Sequence, residues 1–285
     1  MAQFTEEEKT LRRIEKRFGK GVVEYGLIEE GDRILIGLSG GKDSLALVEL
    51  LARRSRILKP RFSVIAVHVV MKNIPYQSDV DYLRNYTESC GIPFVLYETE
   101  FDASTDTRKS PCFLCSWNRR KALFTVAKEQ KCNKIALGHH MDDILETLLM
   151  NITYQGTFSS MPPRLVMKKF DMTIIRPMCL VHEADLMELA EIRAYRKQVK
   201  NCPYESQSSR SAMKRILHQL EEMNPEARYS LWGSMSNVQE ELLYNPQIQI
   251  SVVSGTKRSI FRQKNKTKRS KKKAAHNTYK AGAKG

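Results

Sequence analysis

The stretch that most restricts the fold spans residues 33–54. A short apolar run, 33–38 (RILIGL), feeds into Ser39-Gly40-Gly41-Lys42-Asp43-Ser44 and then into a helical pattern bearing Leu45, Leu47, Val48 and Leu51. A buried strand that ends in two glycines and at once opens a helix is the start of a strand–helix–strand unit. Glycine lets the backbone approach a ligand closely, and the first amides of a helix favour an anion. Ser39 and Ser44 add hydroxyls, and Lys42 adds a charge. The Walker pattern does not fit, because Asp43 follows the lysine, and G-x-G-x-x-G is absent.

The rest of the chain repeats the unit. Residues 62–70 (FSVIAVHVV), 93–97, 134–137 and 173–175 read as strands. Helical patterns fall at 44–54, 80–89, 118–130, 142–154 and 184–199, with two more between 211 and 243. Thr5 and Glu8 have capping-box spacing, and Leu11, Ile14, Phe18 and Val22 continue a helix over 6–24. The pattern predicts an α/β fold: a Rossmann-like parallel sheet with extra helices at both ends. Ligands in such sheets bind beyond the carboxyl ends of the strands, so the loops 39–44, 68–73 and 138–143 should line one crevice.

Composition speaks to partners. The chain carries 47 basic against 32 acidic side chains, a formal +15. Twelve of those charges lie between Lys257 and Lys284, and no acid follows Glu241. The body, taken as 1–245, is therefore only mildly basic. Residues 246–285 read as a disordered basic tail suited to a polyanion. No apolar run approaches the ~18 residues of a membrane span, and the charged N-terminus is no secretory signal, so a cytoplasmic protein is expected. In a reducing compartment, paired cysteines more often bind metal or do chemistry than form disulfides.

Six cysteines are present. Cys112-Phe113-Leu114-Cys115 is a C-x-x-C in a polar loop before a helix, open to half a zinc site, a redox dithiol or two ordinary thiols. No second C-x-x-C completes a zinc ribbon, and Cys202 stands alone after a helix. Three thiolates without a fourth ligand suggest an iron–sulfur cluster with one open iron. Cys90, Cys132 and Cys179 fall in apolar contexts and read as buried thiols. Gly138-His139-His140-Met141-Asp142-Asp143 follows a strand and opens a helix, open to a metal reading or to ordinary capping. His68 is either nucleotide-facing or a satisfied core histidine.

Ser39-Gly40-Gly41-Lys42-Asp43-Ser44 resembles, residue for residue, the PP-loop of the N-type ATP pyrophosphatases, the adenine-nucleotide α-hydrolase type of fold. CFLC followed by Arg119-Arg120, IALGHHMDDILETLLMN, Met161-Pro162-Pro163 and Ile175-Arg176-Pro177 are similar to the two-thiocytidine synthetases of tRNA. The two-thiouridine synthetases are more distantly similar. The resemblance implies cleavage of ATP between its α and β phosphates and adenylation of a tRNA pyrimidine at its C2 oxygen. It implies that Cys112, Cys115 and Cys202 ligate a 4Fe-4S cluster that delivers sulfur. Gly138 would approach the nucleotide, and Asp143 would sit near ATP and its Mg2+. One departure stands out: where those synthetases have another cysteine after the third ligand, this chain reads Pro203-Tyr204-Glu205. The implied partners are tRNA and a sulfur donor such as a cysteine desulfurase, with no membrane; a homodimer is left open. Arg119, Arg120, Arg164 and Arg176 are candidates for RNA contact. An amidating or ligating PP-loop enzyme would have no use for the three cysteines as a set.

Overall fold

A computed structural model describes residues 4–72, 79–100, 111–196 and 209–243. The chain divides into two units, Met1–Met235 and Ser236–Gly285. In the second, only residues 236–243 are described, and they hold one 3-10 turn, Glu240–Leu242. The boundary expected at 245 and the tail beyond it lie outside the described residues.

The first unit is built on six strands: β1 Arg33–Gly37, β2 Ser63–Met71, β3 Phe94–Thr99, β4 Lys134–Ala136, β5 Arg164–Met167 and β6 Met172–Ile175. They lie in the order β3-β2-β1-β4-β6-β5, all parallel except β5, which runs antiparallel to β6. The helices are α1 Glu6–Glu24, α2 Lys42–Ser55, α3 Val80–Ser89, α4 Pro111–Glu129, α5 Met141–Gln155, α6 Glu183–Ile192, α7 Ser209–Met223 and α8 Ala227–Ser234. The chain moves outward from β1 to β2 and β3, then returns to the other side of β1 with β4. The gap between β1 and β4 is therefore the topological switch point, where such sheets take their ligands.

Alternation along the strands sorts the core into two layers. Ile34, Ile36, Val64, Ala66 and Ile175 point to the face covered by α1, α2 and α6, with Leu45, Leu51, Leu186 and Leu189 packed among them. Leu35, Ile65, Val67 and Ile135 point to the other face, where Val126 and Ala127 of α4 cover them. Helix α1 begins with the capping box the sequence predicts: Thr5 Oγ1 accepts from Glu8 N at 3.2 Å, and Glu8 accepts from Thr5 N at 2.9 Å.

Three differences from the sequence reading bear on the site. Helix α4 begins at Pro111, so the C-x-x-C lies in the helix and not in a polar loop. Proline suits a first helical position, and no acid, glycine or second proline interrupts the run to Lys128. Strand β2 continues to Met71, so the first residues of the loop expected over 68–73, His68 among them, are strand. Helix α6 stops at Ile192, with Ala194 in the left-handed region at φ 48°.

Candidate active site

The double-glycine turn leaves the carboxyl end of β1. Gly40 has φ 83°, a conformation that favours glycine, and Gly41 caps α2 without a side-chain hydrogen bond. Buried Ser44 fixes the turn: its Oγ accepts from Gly40 N at 3.1 Å and donates to Gly41 O at 2.9 Å. Ser39 Oγ donates to it at 3.2 Å. With those oxygens turned inward, the first amides of α2 and the positive end of its dipole are left for a ligand anion.

Lys42 Nζ stands 3.0 Å from Asp43 Oδ1 and 3.4 Å from Glu183 Oε1 of α6. Burial works against its charge, but the two carboxylates overcome it and hold the ammonium above its ordinary value. Asp43 Oδ1, though beside Lys42, is buried and accepts no hydrogen bond. A buried carboxylate oxygen in that state suits a cation carried by the triphosphate.

The second turn leaves the carboxyl end of β4. A β-carbon on Gly138 would lie 3.2 Å from Asp43 C, Asp43 O and Ser44 N, so the two turns meet backbone to backbone. His140 caps α5 in a reciprocal box, its Nδ1 3.4 Å from Asp143 N while Asp143 Oδ2 accepts from His140 N at 3.2 Å. The two adjacent acids then part. Asp142 Oδ2 accepts from Glu183 N at 2.8 Å, and its Oδ1 pairs with Arg228, which grips Glu221 at 2.6 and 2.8 Å. Burial opposes its charge, but His140 and Arg228 hold its carboxyl well below the usual range. It is a tie between α5, α6 and α8. Asp143 instead meets Arg210 Nη1 of α7 at 3.1 Å.

One turn further on, Glu146 is buried, and burial with Asp143 and Glu183 pushes its carboxyl up to about 7, against the pull of Arg210 and His140. Burial also holds the His139 imidazole down at about 4 despite Asp143, so the ring is neutral at physiological pH. Lys214 Nζ bonds Glu183 Oε2 at 2.6 Å, so Glu183 links α7 to the lysine of the glycine turn. Spacing alone could not reveal Glu183, Arg210, Lys214 or Arg228, because their partners lie on other helices.

His68 is buried, with Nδ1 2.8 Å from Leu38 O, where it braces the residue entering the glycine turn. Burial lowers its basicity. Cys115 packs with Leu114 against Met71, at the carboxyl end of β2. Cys112 lies in the first turn of α4, but its side chain, like the whole of Cys202, is outside the described residues. Thiolates at a helix start are stabilised by the dipole, and cysteine sulfurs are the donor set that iron–sulfur clusters use. By contrast, burial pushes the thiol of Cys179 up to about 12 and raises those of Cys90 and Cys132, which keeps all three protonated.

A double-glycine turn entering a helix at the switch point of a parallel sheet defines a nucleotide-phosphate-binding α/β protein. The chain belongs to the PP-loop family, whose PP-loop domain matches residues 7–221, and within it to the family of tRNA-cytidine 2-sulfurtransferases. It is 38% identical over 246 residues to the tRNA-cytidine(32) 2-sulfurtransferase of Syntrophotalea carbinolica, covering 85% of this chain and 95% of that protein. It is 36% identical to the one from Methylococcus capsulatus, over 83% of this chain and 82% of the other. Among solved structures it is similar to the U34-tRNA thiolase NcsA from Methanococcus maripaludis with its 4Fe-4S cluster. That match has a TM-score of 0.64 and 25% identity, and covers 81% of this chain and 78% of that one.

Proposed function

We propose that this protein uses ATP to replace the C2 oxygen of a tRNA pyrimidine with sulfur, with the cytidine at position 32 as its target. One observation carries the reading. The helix turn bearing Cys115 packs on the end of β2, beside β1, whose own end opens into the PP-loop. On this reading the nucleotide and one cysteine of the proposed sulfur carrier lie at neighbouring strand ends of one sheet.

The amides of the turn 39–44 hold the phosphates, Lys42 neutralises them, and Asp43 and Asp143 are the carboxylates that would hold a Mg2+ carried by the triphosphate. The C2 oxygen attacks the α-phosphorus, and pyrophosphate leaves. Adenylation turns a very poor leaving group into AMP. Cys112, Cys115 and Cys202 would hold a 4Fe-4S cluster, which would supply sulfur at the oxidation level of sulfide. The C2–S bond forms as the C2–O bond breaks, and AMP carries away the former ring oxygen without net redox change. Neutral His139 and the raised carboxyl of Glu146 lower the charge carried by this side of the crevice.

No helix among the described residues is long and apolar enough to cross a membrane. We place the protein in the cytoplasm, with tRNA and a sulfur donor such as a cysteine desulfurase as partners. The basic tail, 246–285, acts as a separate segment that adds phosphate contacts to those of the body.

Mass spectrometry of tRNA nucleosides from cells with and without the gene tests the reading. Loss of 2-thiocytidine supports it. Loss of a thiouridine instead favours the uridine chemistry of the U34-tRNA thiolase, and unchanged tRNA overturns both. Anaerobically purified protein should be brown, and a Cys112, Cys115, Cys202 triple-alanine variant should lose both colour and thiolation.

A further inference from the structure

The first turns of α4 carry a feature that neither nucleotide binding nor cysteine chemistry uses. Phe113 is 48% exposed and Trp117 is 55% exposed. Four residues apart, they share one helix face, and exposed Arg120 and Lys121 continue the stripe one turn on. Glu129, at its last position, is the one acid in this helix. Single exposed apolar residues are ordinary, but two aromatics stacked at helical spacing, next to basic groups and beside Cys115, form a surface. Trp117 makes no ring contact among the described residues. The other tryptophan, Trp232, packs edge-on against Tyr25 at 6.2 Å and bonds its hydroxyl at 3.0 Å.

We infer that Phe113 and Trp117 are a stacking platform for unpaired nucleotides next to the target base, with Arg120 and Lys121 on their phosphates. This deepens the RNA-modifying reading above and rests on it. An enzyme that works on a ring atom must take the base out of its stack, which leaves neighbouring bases bare. Aromatic faces replace that stacking for any base, and arginine and lysine meet the backbone. Charge disfavours a two-fold contact with a second copy of the chain, because two identical positive stripes would then meet.

The chain has two tryptophans, so its fluorescence can be assigned. Full-length wild type, Trp117→Phe and Trp117→Ala are titrated with an unmodified RNA stem–loop of anticodon-arm sequence and with a fully paired duplex of equal length. The stem–loop is expected to quench wild-type emission, and Trp117→Phe should lose the quench while keeping most of the affinity. Trp117→Ala should bind about tenfold more weakly with unchanged circular dichroism. The duplex should neither quench nor discriminate between variants.

Wild-type affinity in Trp117→Ala, or equal quenching by the duplex, overturns the platform while leaving the thiolation reading intact. A change in sedimentation on Trp117→Ala makes the stripe a contact between copies and also overturns it. Failure of the wild type to bind either RNA removes the thiolation reading and the platform together.

Discussion

Gly138 meets the backbone of Asp43 and Ser44, where an added β-carbon would lie 3.2 Å from three main-chain atoms. Backbone cannot swing aside as a long side chain does, so Gly138→Ala must part the two turns that face the triphosphate. The expected result is a KM for ATP raised about tenfold, read by pyrophosphate release, because small misplacements near the reacting atoms are costly. Glu146 makes a second case at this scale. Its carboxyl is pushed up to about 7, so folding favours the protonated form. The stability it contributes is complete below the ordinary glutamate pKa and is lost as the pH rises from there through 7. Glu146→Gln should therefore flatten the fall in Tm between about pH 5 and 8 and raise Tm at the upper end by a few degrees. A variant whose slope matched the wild type would refute the assignment.

Among elements, the start of α5 separates a structural acid from the one we propose to be chemical. Asp142 joins α5 to α6 through Glu183 N and to α8 through Arg228, in buried surroundings. Removing it leaves Glu183 N without its carboxylate acceptor and Arg228 with Glu221 alone, so Asp142→Ala should cost about 2 kcal/mol and show as a clear drop in thermal midpoint. Asp143 pairs with Arg210, whose side chain is 45% exposed, and Asp143→Ala should instead leave the midpoint within a few degrees while abolishing AMP formation. The sequence shows the glycine turn, the capping of α1 and the buried strands because each has a period or a fixed spacing. It does not show that α4 starts at Pro111, since CFLCSWNRR has no apolar period and its helix is set by packing further along. Nor does it show β5, which pairs only along the β6 edge, with Arg164 and Val166 exposed. Arg210, Lys214 and Arg228 escape for a third reason: ion partners across helices have no spacing to read. Choosing Asp143 over Asp142 comes from the family likeness, and the ion pairs give it a physical ground.

For the molecule as a whole, charge is distributed unevenly along the chain. Twelve basic residues between Lys257 and Lys284 supply most of the net +15. Each phosphate they neutralise should steepen the salt dependence of RNA binding by roughly 0.7–0.9 log units per log of salt. Deleting residues 256–285 should flatten that slope while ATP cleavage continues at its former rate. A slope indifferent to the deletion would make the tail a solubilising appendage.

One helix covers most of the back of the sheet, and it does two unrelated jobs along its length. Its later turns, with Val126 and Ala127, are a keel on Leu35, Ile65 and Ile135, while its opening turns carry Cys115 and the exposed aromatics. The fold leans on one end and the chemistry we propose on the other. Inheritance can therefore rewrite the prow of α4, trading one reagent or one clientele of RNAs for another, without disturbing the timbers that keep the hull in shape.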